Sequence, residues 1–456
     1  MTKALFDDFP EVSSKEWKQL IQYDLKGADY NDTLIWESPE GIHVKPFYHA
    51  EDLKNLSFES EIIESGWEIC QTIFVANVEK SNLKAVDAIS RGAESIRFIL
   101  PSEAIVLKDL LVNINLVEVS IFFECQFLST EFAKQFKYIP SNEKIHLVTD
   151  IIGNLARSGN WFKNLPSDHD AFKEIISYTN SFSIDLCLYQ NAGANMVQQL
   201  AYALAHANEY LNYLNPIIAD DQKQSVKVIF NVAVGSNYFF EISKLRALRR
   251  LWKTLADAFG FNSECLLFVT PTKRNKTLYD YNTNMLRTTT ECMSAILGGA
   301  DMVCNLPYDG LYHKDNEFAE RMSRNQLLIL KNESYFDEVD NPADGAYYIE
   351  SITSQLAQQA LDLFKDIESN GGFLHQLKQG VIQRKIKESA LQEQELFDNG
   401  KLILLGTNKH PNVQDKMKHE LELFPFVKRN PVKTLLEPII EKRLAENVEQ
   451  QRLETE

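Results

Sequence analysis

The cluster Asp168-His169-Asp170 places an imidazole between two carboxylates, a combination that exchanges protons near neutral pH. It directly follows Leu165-Pro166-Ser167, however, and Ser and Asp are residues that commonly cap the start of a helix. We therefore interpret the cluster as a polar loop that leads into a helix capped by Ser167 or Asp168, in preference to an acid–base site.

Metal binding and motif-based covalent catalysis are not indicated. Zinc and iron sites need clustered ligands, but the nine histidines are dispersed and no two form a His-x-x-x-His pair. The sequence has no HExxH, P-loop or GxSxG motif, and no GxGxxG that follows a strand. The six cysteines form no CxxC, which is typical of free thiols in a reducing cytoplasm.

Two further polar features are candidates for a site. Asp150 stands at the carboxyl end of a predicted strand, where barrel enzymes carry their active sites, although a lone Asp there equally well anchors a loop. The run Arg246-Ala-Leu-Arg-Arg250 has charges suited to phosphate, but its position in an amphipathic helix favours the outer face of the fold.

Residues 279–299 are the most unusual segment of the chain. Asn282, Asn284, Arg287 and three consecutive threonines stand together at the start of a predicted helix. Packing alone rarely requires so many polar groups in one helical turn, so this segment is a candidate for binding or for tying loops together.

Short apolar runs alternate with segments of helical spacing along most of the chain. Runs that are apolar throughout predict strands buried on both faces of a parallel sheet. They span residues 95–100, 119–125, 145–150, 182–188, 226–231, 265–270, 302–306 and, more weakly, 335–339.

The segments between these runs predict amphipathic helices. Leu245, Leu248, Trp252 and Phe259 step by three, four and seven residues, and Gly260 follows as a helix-ending glycine. Residues 196–211 and 285–296 repeat the pattern.

Eight strand–helix units in roughly 260 residues match an α/β fold of the (β/α)8 TIM-barrel type. An open, doubly wound sheet divided between two domains is the alternative. We predict an N-terminal arm over residues 1–90 that wraps a partner, a barrel over residues 91–355 and a C-terminal helical extension over residues 356–456.

The charge balance excludes some partners. The net charge is -17, from 64 acidic and 47 basic residues, so the chain repels nucleic acid and anionic lipid surfaces. No apolar stretch reaches the length of about 18 residues that a membrane-spanning helix needs. We expect a cytoplasmic protein that binds neither nucleic acid nor membrane.

Residues 279–299 resemble the signature YNNIVRTTxEAMAAxLGG of the adenosylcobalamin-dependent acyl-CoA mutases, the methylmalonyl-CoA mutase family. Similar matches are FFEEIAKFRAARRLW at residues 239–252, QEAGA at residues 190–194, WxIRQ at residues 67–71 and GGSYYVE at residues 344–350. The resemblance covers most of residues 65–410 in order. It implies a barrel that encloses the CoA tail of the substrate, and a radical rearrangement that interconverts methylmalonyl-CoA and succinyl-CoA.

The positions at which the resemblance implies catalytic residues are replaced. Leu188 stands in place of the family's histidine, Thr72 in place of a substrate-contacting tyrosine and Val148 in place of a glutamine. Leucine neither donates a hydrogen bond to a thioester carbonyl nor exchanges a proton. Arg157 lies near the place of the arginine that pairs with the substrate carboxylate, but out of register, so its role stays open.

The family's cobalamin-ligand motif, Asp-x-His-x-x-Gly, is also missing, and residue 456 falls near the start of the family's linker to the cobalamin domain. We expect no cobalamin-binding domain, no cofactor and no metal on this chain, with adenosylcobalamin held by a large catalytic partner subunit. The prediction is a non-catalytic small subunit of a heterodimeric methylmalonyl-CoA mutase. The alternatives are a catalytic barrel whose cobalamin domain is a separate chain, and a repurposed binding barrel that uses Asp150 and Arg287.

Overall fold

The computed structural model describes residues 9–53, 66–139, 144–428 and 432–456. Its strands are β1 (Trp36–Glu37), β2 (His43–Val44), β3 (Glu68–Phe74), β4 (Ser95–Leu100), β5 (Ser120–Cys125), β6 (Ile145–Val148), β7 (Ser181–Asp185), β8 (Lys227–Val234), β9 (Cys265–Pro271) and β10 (Met302–Val303). Its α-helices are α1 (Ser14–Asp24), α2 (Tyr30–Leu34), α3 (Val78–Ser90), α4 (Leu107–Leu110), α5 (Thr130–Ala133), α6 (Ile151–Ser158), α7 (Leu165–Thr179), α8 (Cys187–Asn191), α9 (Met196–Leu214), α10 (Asp220–Lys223), α11 (Tyr238–Phe259), α12 (Thr283–Leu297), α13 (Glu317–Asn332), α14 (Tyr347–Ser369), α15 (Phe373–Lys378), α16 (Val381–Asp398) and α17 (Glu446–Thr455).

Strands β3 to β10 form an eight-stranded sheet in which every hydrogen-bonded neighbour is parallel. The first strand, β3, pairs with the last, β10. Between β6 and β7 the Ser183 amide donates to the Thr149 carbonyl at 3.0 Å, so the ring is nearly closed. Helices follow the strands around the outside, and this confirms the predicted TIM-barrel fold.

Seven of the eight predicted strand runs contain strands of the barrel, β4 to β10. The prediction of a strand at residues 335–339 is wrong, because this segment is a turn in which Phe336 bonds to Leu330 at the end of α13 and to the Trp67 indole. The remaining barrel strand is β3, which lies within the segment assigned to the N-terminal arm. Gln71 and Thr72 interrupt its apolar pattern, and the sequence signal was correspondingly weak.

Two predicted strands are also shorter than their apolar runs. The run at residues 182–188 ends as a strand at Asp185, and Cys187 begins the short helix α8. The run at residues 302–306 is a strand only at Met302 and Val303. In both cases the apolar residues continue past the sheet into the loops at the mouth of the barrel, where burial persists without strand pairing.

The helices predicted at residues 196–211, 245–259 and 285–296 are present as α9, α11 and α12. In α11 the residues Leu245, Leu248 and Trp252 are buried, and Gly260 ends the helix at a φ of 74°, a left-handed conformation that favours glycine. The Trp252 ring packs edge-on against Phe230 of β8 at 5.6 Å, which fixes α11 on the outside of the barrel.

The N-terminal segment divides into two parts. Residues 30–53 pack on the chain's own helices: Ile42 is completely buried, and the ring of Trp36 lies 5.8 Å from that of Phe240 on α11. Helix α1 begins after Ser13, whose side chain forms a capping box with Glu16, and the helix buries none of its residues. The helix contacts its own chain through the Trp17 and Phe47 rings and leaves Leu20 and Tyr23 exposed.

The C-terminal segment is helical through α16, as predicted, but the described residues of 399–428 and 432–445 form no helix. Glycines and prolines such as Gly400, Pro411 and Pro438 recur through this stretch and break helical hydrogen bonding. Its last part, residues 432–445, is here called the C-terminal strap. No helix in the described ranges is long and apolar enough to cross a membrane.

Candidate functional site

A cavity of about 660 Å³ opens at the carboxyl-terminal mouth of the barrel. Barrel enzymes build their active sites on this face, from residues at strand ends and in the loops that follow. Here the lining from the strand ends includes Thr72, Glu124, Asp185, Thr270 and Cys304. The cavity is therefore the candidate site of this chain.

Large side chains fill the barrel beneath this cavity. One buried group, here called the interior cluster, comprises Cys70, Phe122, Val148, Ile229, Phe268, Met302 and Cys304. The Phe122 ring lies edge-on to Phe268 at 5.3 Å and stacks on His146 at 5.0 Å. The Arg97 guanidinium lies 4.9 Å from the centre of the Phe268 ring. Aromatic and cationic groups thus meet in the barrel interior beneath the cavity.

A partly buried ion pair lies between the interior cluster and the cavity. Arg97 of β4 donates through Nε to Oε2 of Glu124 on β5 at 2.7 Å. Burial opposes charge on both groups, but the mutual attraction prevails: it raises the pKa of Arg97 and lowers the pKa of Glu124. Both side chains stay charged, and each neutralises the other.

Arg157 reaches the cavity from α6 and is already paired within the chain. Its guanidinium contacts Asp185 of β7 and lies 3.2 Å from the Glu441 carboxylate of the C-terminal strap. The Asn191 amide also donates to Glu441, at 3.2 Å. Arg157, which lies near the family's carboxylate-binding position, therefore already forms ion pairs with two carboxylates of its own chain.

Backbone hydrogen bonds hold the strap across the mouth. The Ile439 amide donates at 2.8 Å to the carbonyl of Ala156, which lies in α6, the helix that follows β6. The Lys442 amide donates to Asn191 at 3.1 Å, and the Leu444 amide to Arg274 at 2.9 Å. These bonds join the strap to the loops after three barrel strands.

Asp150 anchors loops rather than reacting. Its Oδ1 caps α6 by accepting the Gly153 amide at 2.7 Å, and it accepts the Tyr210 hydroxyl at 2.6 Å. His206 lies 3.0 Å away, and the Asp185 amide donates to Oδ2 at 3.0 Å. Burial alone would raise the pKa of Asp150, but these partners lower it, so the carboxylate is held charged as an acceptor.

The three replaced positions lie in different surroundings. Thr72 and Val148 both line the cavity, and the Thr72 hydroxyl lies 3.0 Å from the Cys304 sulfur. Leu188 is completely buried in the largest hydrophobic cluster, which joins β7 and β8 to the outer helices. Its neighbours Cys187 and Asn191 in α8 line the cavity instead.

The cluster at Asp168 and His169 is not a loop, contrary to the sequence interpretation. Helix α7 begins at Leu165 and is capped by Asn164, so both residues lie in its first turns. The buried Asp168 carboxylate accepts the Phe162 amide at 2.7 Å, and His169 Nδ1 lies 2.8 Å from the Leu165 carbonyl. The helix begins earlier than predicted because Pro166 suits its first turn, and Asn164 just before that turn supplies the cap.

The arginine run on α11 makes ion pairs on the outside of the barrel. Arg246 and Arg250 both pair with Glu350 of α14, the second at 2.9 Å. Arg249 pairs with Asp301 at 2.7 Å, ahead of β10. These contacts fasten neighbouring helices and loops, which agrees with the predicted outer position.

Arg287 ties α12 to two loops. Its Nη1 donates to the Thr277 hydroxyl at 3.0 Å and to Asn284 Oδ1 at 2.8 Å, while Nη2 donates to the Leu405 carbonyl at 2.6 Å. The Thr289 hydroxyl donates to the carbonyl of Met285 in the same helix at 2.8 Å. The polar segment that stood out in the sequence is thus engaged in structural bonds.

Four residues of the site escaped the sequence analysis: Arg97, Glu124, Cys304 and Glu441. A charged residue inside an otherwise apolar strand was the available signal for Arg97 and Glu124, since such a residue faces the interior of a barrel. Nothing local marks Glu441, because it enters the cavity from a loop distant in sequence.

The fold and site define a (β/α)8 barrel protein with a charged cavity at its carboxyl mouth and a filled interior. The profile of the methylmalonyl-CoA mutase family matches residues 133–454. The chain belongs to the methylmalonyl-CoA mutase family.

Relatives include two proteins described as methylmalonyl-CoA mutase small subunits. That of Porphyromonas gingivalis is 32% identical over all of this chain and 78% of its own length. That of Streptomyces virginiae is 25% identical over 91% of this chain and 73% of its own length. Human mitochondrial methylmalonyl-CoA mutase is 28% identical over 87% of this chain, and the match spans only 60% of that enzyme.

Among the described residues, the side chains that line the cavity include no histidine that could bind cobalt. No group of three or more His, Cys, Asp or Glu in the described ranges is arranged to hold a metal ion. The strap also crosses the mouth.

Proposed function

We propose that this chain is the non-catalytic small subunit of a heterodimeric methylmalonyl-CoA mutase. The large partner subunit binds adenosylcobalamin and interconverts methylmalonyl-CoA and succinyl-CoA. This chain contributes a barrel that stabilises the partner. The interior cluster is the observation that carries the proposal.

The first argument is steric. A CoA thioester that passes along the barrel axis needs the space that Phe122 and Phe268 occupy. Both rings are almost completely buried and pack against each other, His146 and Arg97. Close-packed interiors do not open such a passage without losing these contacts.

The second argument is chemical. Thr72 and Val148 present a hydroxyl and an alkyl group to the cavity, and neither moves protons near neutral pH. Leu188 is buried away in the outer core. Arg157 already pairs with Asp185 and Glu441, so a substrate carboxylate would have to displace them.

The third argument concerns the partner surface. Trp17, Leu20 and Tyr23 follow one another at intervals of three on α1, and they are 43%, 61% and 82% exposed. The Trp17 ring stacks on Phe47 of the same chain at 4.5 Å and so anchors the helix, while Leu20 and Tyr23 stay exposed. Exposed apolar and aromatic faces of this kind support protein–protein contact.

The association test uses a triple variant of α1. Trp17→Ala, Leu20→Ala and Tyr23→Ala together should abolish co-purification with the large subunit, because they remove the apolar face. A matched control replaces Val117 and Tyr138, which are 77% and 88% exposed elsewhere, by Ala. Equal binding by the α1 variant and the control would contradict the arm as the contact surface.

The catalytic test compares three samples. The complex should turn over methylmalonyl-CoA, whereas this chain alone, and this chain mixed with an isolated cobalamin-binding domain, should not. Turnover by the third sample would overturn the non-catalytic assignment and favour a catalytic barrel with a separate cobalamin chain.

A further inference from the structure

Two cysteines lie side by side in the wall of the barrel. The register of β10 on β3 pairs Met302 with Glu68 and Val303 with Ile69, so it places Cys304 beside Cys70. The Cys304 amide donates to the Val269 carbonyl at 2.9 Å, which keeps Cys304 in line with the sheet. Neighbouring strands lie about 4.8 Å apart, within the Cα separation that a disulfide spans.

Both thiols are free and belong to the interior cluster. Their side chains share one environment, in which the Thr72 hydroxyl lies 3.0 Å from the Cys304 sulfur and Arg97 lies nearby. Cys304 also lines the cavity, with 3% of its surface exposed, so it is the member of the pair that lies next to the mouth.

The two sulfurs have opposite electrostatic environments. Hydrogen bonds from the Cys70 thiol and from Thr72, with the charge of Arg97, outweigh burial and lower the pKa of Cys304 to about 7. Burial, followed by the neighbouring Cys304 sulfur, raises the pKa of Cys70. A thiolate beside a protonated thiol is the arrangement that makes one sulfur the nucleophile and the other its hydrogen-bond donor.

Two other thiols line the same cavity in an electrostatic environment opposite to that of Cys304. Cys125 and Cys187 both line it, but burial and the nearby carboxylates of Glu124 and Asp185 raise the pKa of each. These two cysteines share the route of access with Cys304 and lack its activation. They are therefore matched internal controls.

We propose that Cys70 and Cys304 form a redox-active dithiol that a small hydroperoxide oxidises to a disulfide. The Cys304 thiolate attacks the peroxide, so that an S–O bond forms, the O–O bond breaks and hydroxide or alkoxide leaves. Cys70 then attacks the sulfenic acid; the S–S bond forms, the S–O bond breaks, and the Cys70 proton leaves with the oxygen as water. The dithiol gives up two electrons, which the peroxide accepts.

This inference is independent of the proposed function. The disulfide would join the first and last strands of the barrel next to Thr72, at the point where β10 has only two paired residues. Reduction by a dithiol compound would restore the free pair.

The first experiment treats the reduced full chain with one equivalent of hydrogen peroxide at pH 7 and maps its peptides by mass spectrometry. We expect a peptide in which Cys70 is linked to Cys304. Cys70→Ser should instead leave a Cys304 sulfenic acid that dimedone traps, and Cys304→Ser should form neither product. Cys125→Ser and Cys187→Ser should behave like the wild-type chain.

The second experiment measures alkylation by iodoacetamide at each cysteine against pH. Cys304 should react at least about tenfold faster than Cys125 or Cys187 at pH 7, because it has the larger thiolate fraction. Thr72→Val, which keeps both cysteines, should slow the Cys304 reaction and move its pH profile upward. The proposal is overturned if Cys125 or Cys187 reacts first, if Thr72→Val has no effect on a folded chain, or if peroxide leaves Cys70 and Cys304 unlinked.

Discussion

Replacing Phe122 with alanine tests whether the barrel interior is close-packed. Phe122 is almost completely buried between Phe268 and His146, and it contributes the largest ring to the interior cluster together with Phe268. Removing a buried phenylalanine ring leaves a cavity that the rigid strands around it do not refill.

The expected loss in the free energy of unfolding is about 3–5 kcal/mol, the usual range for a buried Phe→Ala change. Within this, the edge-on contact with Phe268 contributes roughly 0.5–1.5 kcal/mol. Phe268→Ala alone should cost a similar total amount. The double variant should cost less than the sum of the two by about the energy of the shared contact.

Urea titration followed by circular dichroism measures these free energies. Phe424→Ala is the control, because that ring is 60% exposed and should cost under about 1 kcal/mol. Calorimetry with CoA should detect no binding to the wild-type chain. A Phe122→Ala cost no larger than the control's, or CoA binding by the wild-type chain, would refute the view that side chains fill the axis.

Three further predictions concern single residues. Leu188→His should lower the free energy of unfolding by about 2–4 kcal/mol and confer no turnover, because the side chain lies in the outer core. The control Leu188→Met should lower it by less than about 1.5 kcal/mol. Turnover by the Leu188→His variant would contradict this placement. Burial and Lys227 lower the pKa of His146 to about 4, below its value of about 6.5 in the unfolded chain. As the pH falls from about 6.5 to about 4, the unfolded chain therefore binds the proton before the folded chain does. The free energy of unfolding should drop by up to about 3 kcal/mol over this range. His146→Gln should remove that part of the drop, and an unchanged pH dependence of urea unfolding would exclude His146 as its source. Glu441→Gln should make the backbone amides of the C-terminal strap exchange with deuterium about threefold to fivefold faster, which is equivalent to under about 1 kcal/mol. The control is Glu437→Gln on the same strap. If both variants speed exchange equally, Glu441 has no special role.

Helices and most strands were predictable because their patterns are local. The spacing from Leu245 to Phe259 and the glycine that follows it predicted α11, and continuous apolarity predicted β4 to β9. Strand β3 was missed because Gln71 and Thr72 face the barrel mouth, where polar residues are tolerated. The apolar residues near Phe336 predicted a strand wrongly, because hydrogen bonds of Phe336 with Trp67 and with the end of α13 hold the segment in a turn, in which Tyr335 and Val339 stay exposed.

The sequence by itself determined the family and the side-chain chemistry at Leu188, Thr72 and Val148, because residue identity fixes which groups donate, accept or exchange protons. Tertiary structure alone decided which side chains meet. Closure of the ring brings Phe122 against Phe268 and Cys70 beside Cys304, and the C-terminal strap delivers the Glu441 carboxylate to Arg157. These partners are separated by more than a hundred residues in the chain, and only the geometry of a closed barrel, which no local pattern encodes, sets the distances between them.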